Sequence, residues 1–501
     1  MTKYDIVIAG SGLGGLLSGY ILSKEGYKVC ILEKHHQIGG CLQTFVRNGC
    51  VFDTGMHYIG SMDKDQSLNY LFRYFGLTDK LKLKRLDMNA FDVININGSN
   101  YNYAQGFDHF TETITSYFPE EKEGIKQYVE KLKRIGMSLT DILEGRAKPN
   151  NGVMASFEHF YENTQQYLSS LTSNYRLQNV LAGLNSLYAG HPDTTPLYLH
   201  GIINHSLIES SWRMVDGGSQ IADILSKGIL EKGGEIITNV EVKSFVPGIG
   251  GNISHILLTN GEHVEGKIFI SNINPSTTID LTNSELLRPV YKRRIKSIEN
   301  TISIFSLYIV FKENSFPYLN QNYYKYNNPN VWGTQTYNKE NWPDGHMLYT
   351  PANSSSDKFA ESMIAITYMK YEELLQWENT TIEKRGEDYK NFKLQKAILF
   401  IDQIEKQFPG IKSKIKTFYT STPLTYRDYT GTLEGSIYGI MKDCNNPLRS
   451  FILPRTKIPN LLMTGQNINL HGVLGVTIGS LLTCGEIVGF DYLLKKIKDA
   501  S

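Results

Sequence analysis

Three glycines, Gly10, Gly12 and Gly15, stand between an apolar run, YDIVIA (4–9), and a stretch with helical character from residue 13 to about 25. A second apolar run (27–32) ends at an acid, Glu33, roughly 20 residues past the first glycine. In the order strand, glycine turn, helix, strand, acid, these residues are suited to holding a dinucleotide. Gly10 permits the tight turn, Gly12 lets backbone amides approach a pyrophosphate, and Gly15 lets the helix lie close on the strand. The helix N-terminus adds partial positive charge and unpaired N–H donors. Glu33 would accept hydrogen bonds from ribose hydroxyls, which disfavours a phosphorylated ribose and hence NADP. A lone G-x-G-x-x-G is a weak signal; the elements around this one give it weight.

A second glycine pair, Gly39-Gly40, follows a few residues past the acid. It lets another loop pass close to the dinucleotide, as an FAD stretched across its domain requires, so the cofactor is read as FAD. The sequence carries no second strand-turn-helix nucleotide motif; Gly248-Ile249-Gly250-Gly251 lies between two strands and reads as a turn. An NAD(P)H reductant would therefore have to visit transiently, and the electron source stays open.

These groups must be positioned by a nucleotide-binding sheet whose chain is interrupted twice. Residues 108–136 carry helical periodicity with many charges, the solvated face of an inserted domain. The spacing of Ile221, Ile224, Leu225 and Ile229 marks one side of a helix, and residues 235–245 read as a strand. Residues 253–259 and 262–270, joined at Asn260-Gly261, make a hairpin. A second insertion holds alternating strands at 302–311 and 362–369 and an amphipathic helix around 391–407, a sheet floored by helices that can enclose a long apolar cavity.

Composition bounds the partners. With 501 residues and 41% apolar content the chain can bury a large core, and its length favours two or more domains. A net charge of +1 argues against nucleic acid. The basic cluster Lys292-Arg293-Arg294 with Lys296 reads as a solvated helix face. Five cysteines (Cys30, Cys41, Cys50, Cys444, Cys484) form no paired framework and no C-x-x-C, so a reducing compartment and no metal are expected. The first strand begins almost at Met1, leaving no room for a signal peptide, and no apolar run approaches the ~20 residues of a membrane span. These features suggest a cytoplasmic protein that touches a membrane surface at most peripherally; oligomeric state is not legible.

The runs GGCLQTF (39–45) and FDTGMHYIG (52–60) closely resemble the retinol saturase branch of the phytoene desaturase and carotenoid isomerase family, which shares Cys41 where many related flavoproteins carry arginine. WRMVDGGSQIADIL (212–225), TPLTYRDYTGTLEGSIYG (422–439) and LLMTGQNINLHGVLGVTIGSLLTCGEIVG (461–489) are similar to later segments of the same family. The resemblance runs from end to end but is thin from residue 61 to 211. It implies an α/β fold: a Rossmann-like FAD-binding domain of glutathione reductase type (1–65, 206–290 and 455–501), interrupted by an α+β substrate-binding domain (66–205 and 291–454). It further implies an enzyme acting on carbon–carbon double bonds of a long apolar, isoprenoid or polyene substrate, with saturation favoured. Redox-neutral cis-trans isomerisation, or desaturation of carotenoids, is the alternative, and a non-catalytic flavin or lipid carrier the alternative of another class.

The resemblance also assigns residues. Gly39 and Gly40 pass the dinucleotide, and Val242 meets the adenine through its backbone. Gly465 approaches the ribityl chain, and Gly472 and Gly475 begin a helix facing the phosphates or the flavin. Asn467 stands where the saturases usually show aspartate, which removes a negative charge and would raise the flavin's reduction potential. Saturation needs a hydride on one carbon and a proton on its neighbour. His57, whose motif neighbours should lie near the isoalloxazine, leads as the proton donor, with Tyr58 and Tyr426 as alternatives; His191, His205 and His471 have weaker cases.

Overall fold

The computed structural model describes residues 4–143, 157–354 and 358–500. Met1 to Lys3, on which the reading of the chain start rests, lie outside them.

The first sheet has a parallel centre. Tyr4–Ala9 lies between Val29–Leu32 and His263–Ser271, with Glu235–Ile237 outside Val29–Leu32 and Leu461–Met463 beside the end of His263–Ser271. The central strands read as apolar runs because both faces are covered. The helix Leu13–Lys24 covers one face and packs on Ser219–Glu231 and Gly472–Val488. Gly19 permits that approach: a Cβ there would lie 2.8 Å from Ile31 Cδ1.

Beyond this centre the sheet turns antiparallel, through Ile253–Leu258 and Val242–Pro247. The strand expected at 235–245 is therefore two strands. Asn239 breaks it by adopting φ 58°, a conformation that asparagine tolerates. The break serves the site, since the Asn239 N–H donates to His35 O and the Val240 N–H to Glu33 O. The turn is thereby tied to the loop that carries the acid.

The second sheet runs in the order Ile415–Ser421, Ser303–Phe311, Ser362–Met369, Gly345–Tyr349, Asn322–Tyr326, Asp92–Ile96, Ser99–Tyr103. One pair, Asn322–Tyr326 with Asp92–Ile96, is parallel. Along Ser303–Phe311 alternate residues serve opposite faces. Phe305, Leu307 and Ile309 join a core with Phe400 and Ile404 of the helix Gly386–Gln407, while Tyr308 and Val310 join one with Tyr324, Tyr349 and the helices Lys122–Leu143 and Leu197–Glu209. The expected floor helix thus begins earlier than residue 391.

The helix expected at 108–136 is broken. Phe107–Tyr117 ends before Phe118, which precedes Pro119 and is extended at φ −136°, and Lys122–Leu143 starts afresh. Its charged face is solvated as expected, and Ile125, Tyr128, Val129, Leu132 and Ile135 form a buried stripe at helical spacing. Among the described residues no single helix is long and apolar enough to cross a membrane. The molecule is of the α/β class, its two large sheets meeting over one cavity.

Candidate active site

A continuous cavity of about 510 Å³ runs from the end of the first sheet to the inner face of the second. The dinucleotide residues line one end, with Glu33, Val240 and Val242 together at the wall. Gly12 pairs with Gly39, and the Gly39 N–H donates to Ser11 O at 3.1 Å. The fit at Gly15 is steric, since an added Cβ would lie 2.1 Å from Gly10 O. Gly10 takes φ 96°, a conformation left to glycine.

Glu33 is buried and held by three donors. Ser11 donates from its N–H (2.9 Å) and Oγ (2.6 Å) to Oε2, and the His35 N–H donates to Oε1 at 2.9 Å. A carboxylate offers about four acceptor sites. Its orientation is fixed with capacity left for a ribose hydroxyl.

The carboxy-terminal segment closes over this cradle. Gly465 (φ 96°) lies against Gly14, where a Cβ would come within 2.8 Å of the Gly465 Cα. Asn272 sits between them, its Oδ1 2.6 Å from that same Cβ position and its Nδ2 donating to Gly10 O at 3.4 Å. Sequence reasoning missed Asn272; its signal was a polar residue at the end of the buried run KIFIS. Asn467 Oδ1 accepts from the Ile440 N–H at 3.1 Å and packs on Gly439, where a Cβ would lie 1.9 Å from it and the φ of 68° also favours glycine. That amide thus ties the cap to the loop at Ile440, which bridges to Asn300. Gly472 opens the helix Gly472–Val488, whose first turn, with Gly475, also lines the cavity.

The fit to FAD follows from these residues: a cradle that a Cβ would fill, a fixed acid for the ribose, a backbone edge at Val242, and a helix start facing the middle of the cavity. Glu33, Gly39, Gly40, Val242, Gly465, Asn467, Gly472 and Gly475 would hold it, with Gly10, Gly12 and Gly15 shaping the turn.

His57 and Tyr426 both line the cavity. His57 Nδ1 lies 2.9 Å from Tyr349 Oη. Burial, and then the Arg213 guanidinium, hold the imidazole down to about 4. It is therefore neutral at pH 7. The Tyr426 hydroxyl meets Ser306 Oγ at 2.7 Å and Tyr308 Oη at 3.4 Å, and burial raises it well above the usual phenol range. Tyr58 donates to Asp92 Oδ2 at 2.8 Å and meets Tyr324 Oη at 2.7 Å. Burial pushes Asp92 up to about 7, opposed by Asn322, Tyr58 and Arg213. His471 is spent on Leu187 O (3.0 Å), whereas His191 and His205 do not line the cavity.

Arg213 is the largest fully buried side chain among the described residues and was not singled out from sequence. It donates to the carbonyls of Thr350 (2.9 Å) and Leu319 (3.1 Å) and to Asn322 Oδ1 (2.5 Å), and its guanidinium lies 5.1 Å from the Tyr349 ring centre. The basic cluster stands away from the cavity; Arg294 donates to the carbonyls of Leu448 and Arg449, and Lys296 pairs with Asp280. All five cysteines are free, and no metal-binding group occurs among the described residues.

The all-trans-retinol 13,14-reductase of Rattus norvegicus is 27% identical over 97% of this chain and 86% of its own length. The chain is similar to the retinol saturase branch along nearly its whole length. The chloroplastic prolycopene isomerase of Arabidopsis thaliana is 23% identical over 98% of the chain and 84% of its own. A family model for NAD(P)-binding Rossmann-like domains matches residues 8–75, which hold the glycine turn and Glu33. In fold, an oxidoreductase from Methanosarcina mazei matches with a TM-score of 0.62 at 16% identity, covering 96% of this chain and 99% of that one. The wild-type putrescine oxidase bound to putrescine matches at 0.64 and 14% identity, over 97% and 99%.

Proposed function

We propose that the protein is an FAD-dependent oxidoreductase acting on carbon–carbon double bonds of a long apolar polyene or isoprenoid, and that the net reaction is saturation. The observation that carries this reading is the continuity of the cavity. Beyond the dinucleotide end its wall is formed by Leu187, Leu199, Ile203, Met347 and tyrosine rings. Those tyrosines offer little polarity: Tyr326 Oη donates to Gly183 O (2.7 Å) and Tyr438 Oη to Ser186 O (2.9 Å). A hydrocarbon chain loses nothing against these apolar side chains, while the few polar side chains among them, such as Ser186, Thr334 and His346, leave room for one polar end group.

Bound FAD would supply the hydride chemistry, and the protein must position the substrate and manage the proton. The neutral state of His57 makes it a poor store of protons. We assign proton donation to Tyr426, whose phenol stays protonated and is hydrogen-bonded to Ser306, and assign orientation of the reacting groups to His57. The enclosed apolar walls exclude water from the reacting carbons. The two domains proposed from sequence would divide this work between cofactor and substrate. Substrates of this class dissolve in membranes, so the reading includes peripheral contact with a bilayer.

Isomerisation is the second reading, favoured by Asn467, because the missing carboxylate would favour a flavin that stays reduced. Product mass separates the two. Incubation of the reduced holoprotein with all-trans-retinol, and separately with a hydrocarbon carotenoid, should yield a product heavier by two hydrogens; unchanged mass with altered geometry would establish isomerisation instead. Binding of both polyenes without any product would leave only the carrier.

A further inference from the structure

His57 reaches the cavity wall on a loop, yet its orientation is set from the second sheet. Its partner Tyr349 is fully buried, and no second partner lies within hydrogen-bonding reach of the Tyr349 hydroxyl among the described residues. The phenol keeps its proton, because burial raises it well above the usual range. That single proton has one acceptor to go to, the Nδ1 lone pair. The opposite arrangement, in which Nδ1–H donates to the phenol oxygen, would leave the phenol's own hydrogen buried without a partner, which is unfavourable.

The imidazole, being neutral, carries one hydrogen in total. With Nδ1 accepting, that hydrogen is on Nε2, which has no protein partner among the described residues and is not buried. Arg213 holds the other side of the arrangement. Its guanidinium lies 5.1 Å from the Tyr349 ring centre and is itself fixed on the carbonyls of Leu319 and Thr350. A positive charge so close also disfavours an imidazolium.

We propose that Tyr349 is a positioning residue that locks His57 as the Nε2–H tautomer, so that His57 presents a fixed, neutral hydrogen-bond donor to an acceptor in the cavity. The acceptor is a nitrogen or carbonyl of the flavin ring system, or an oxygen of the substrate; a hydrocarbon segment offers none. The inference rests on the proposed reading of the cavity for its purpose, but the tautomer itself does not depend on that reading.

The test uses the full-length protein, labelled with 15N-histidine, with and without added FAD. Long-range 1H–15N correlation spectra, with the His57 signals assigned by their loss in His57→Gln, report which ring nitrogen carries the hydrogen. The expected wild-type result at pH 7 is a protonated Nε2 and a bare, accepting Nδ1. Tyr349→Phe should shift the ring toward a mixture of tautomers and lower kcat on all-trans-retinol at least tenfold, with KM within twofold and the flavin content unchanged. A wild-type Nδ1–H tautomer, or a Tyr349→Phe variant with unaltered tautomer and kcat, would overturn the proposal. Failure of turnover in the wild type, with the Nε2–H tautomer intact, would count against the proposed function alone.

Discussion

At Gly15 a single methyl group decides whether the phosphate cradle can form, because its Cβ would stand 2.1 Å from a backbone oxygen that cannot withdraw. Gly15→Ala should sharply lower the flavin bound per mole of protein, read from the visible absorbance of the purified variant; normal yellow protein would show that the turn is not the cradle. His57→Gln should keep the flavin spectrum and slow turnover about 10²-fold, through lost positioning of the reacting groups. Because the His57 imidazole is held at about 4, its own ionisation leaves activity flat from pH 6 to 9 and removes it only as pH falls through 4. A rate that titrates with a histidine near pH 6.5, and loses that titration in His57→Gln, would contradict this. Asp92 works in the opposite sense. Its native value, about 7, lies above the ordinary unfolded value near 3.9, so the native state binds more protons between them and stability falls as pH rises through that window, by at most about 4 kcal/mol. In Asp92→Asn the difference in Tm between pH 5 and pH 8 should shrink; a difference as large as the wild type's would exclude Asp92 as its source. The glycines, Glu33 and His57 were legible because each sits in a local pattern. Arg213, Tyr349 and Asn272 were not, since their meaning comes from partners distant in sequence: Arg213 meets Asn322, and Tyr349 meets His57.

At the scale of elements, the nucleotide strands were readable from apolar runs bounded by glycine, and Tyr4–Ala9 stands where the pattern puts it. Two expected elements were split, each by a residue with a backbone preference. Asn239 turned one strand into two, and Pro119 ended a helix. The Asn239 turn makes a prediction. Asn239→Val, forced to a positive φ, should cost about 1–2 kcal/mol and weaken flavin binding, because the turn holds Val240 to Glu33. Gly98→Val, in the second sheet at φ 86°, should cost a similar amount without weakening flavin binding. Urea midpoints and flavin fluorescence on both variants check the pair; equal loss of flavin in both would mean that the effect is general unfolding. The hairpin around Asn97-Gly98 went unread although that dipeptide lies between alternating runs, a recognised turn signal. The strands Asn322–Tyr326 and Gly345–Tyr349 carried no such signal: the first alternates in burial but not in residue type, with Asn322 on the buried side, and the second is buried at every position.

At the scale of the molecule, one cavity joins a polar cradle on the first sheet to an apolar wall on the second, and the cap carrying Gly465 and Asn467 touches both. Sequence patterns described the cradle well and the wall hardly at all, since a pocket wall is assembled from residues far apart whose individual types are those of any core. The proposed chemistry depends on that cavity bringing flavin and polyene together. Anaerobic photoreduction of the purified holoprotein, followed by mixing with all-trans-retinol and mass analysis, tests it most directly. The expected result is reoxidation of the flavin in step with a product heavier by two hydrogens, and persistent reduced flavin beside unaltered retinol would contradict it.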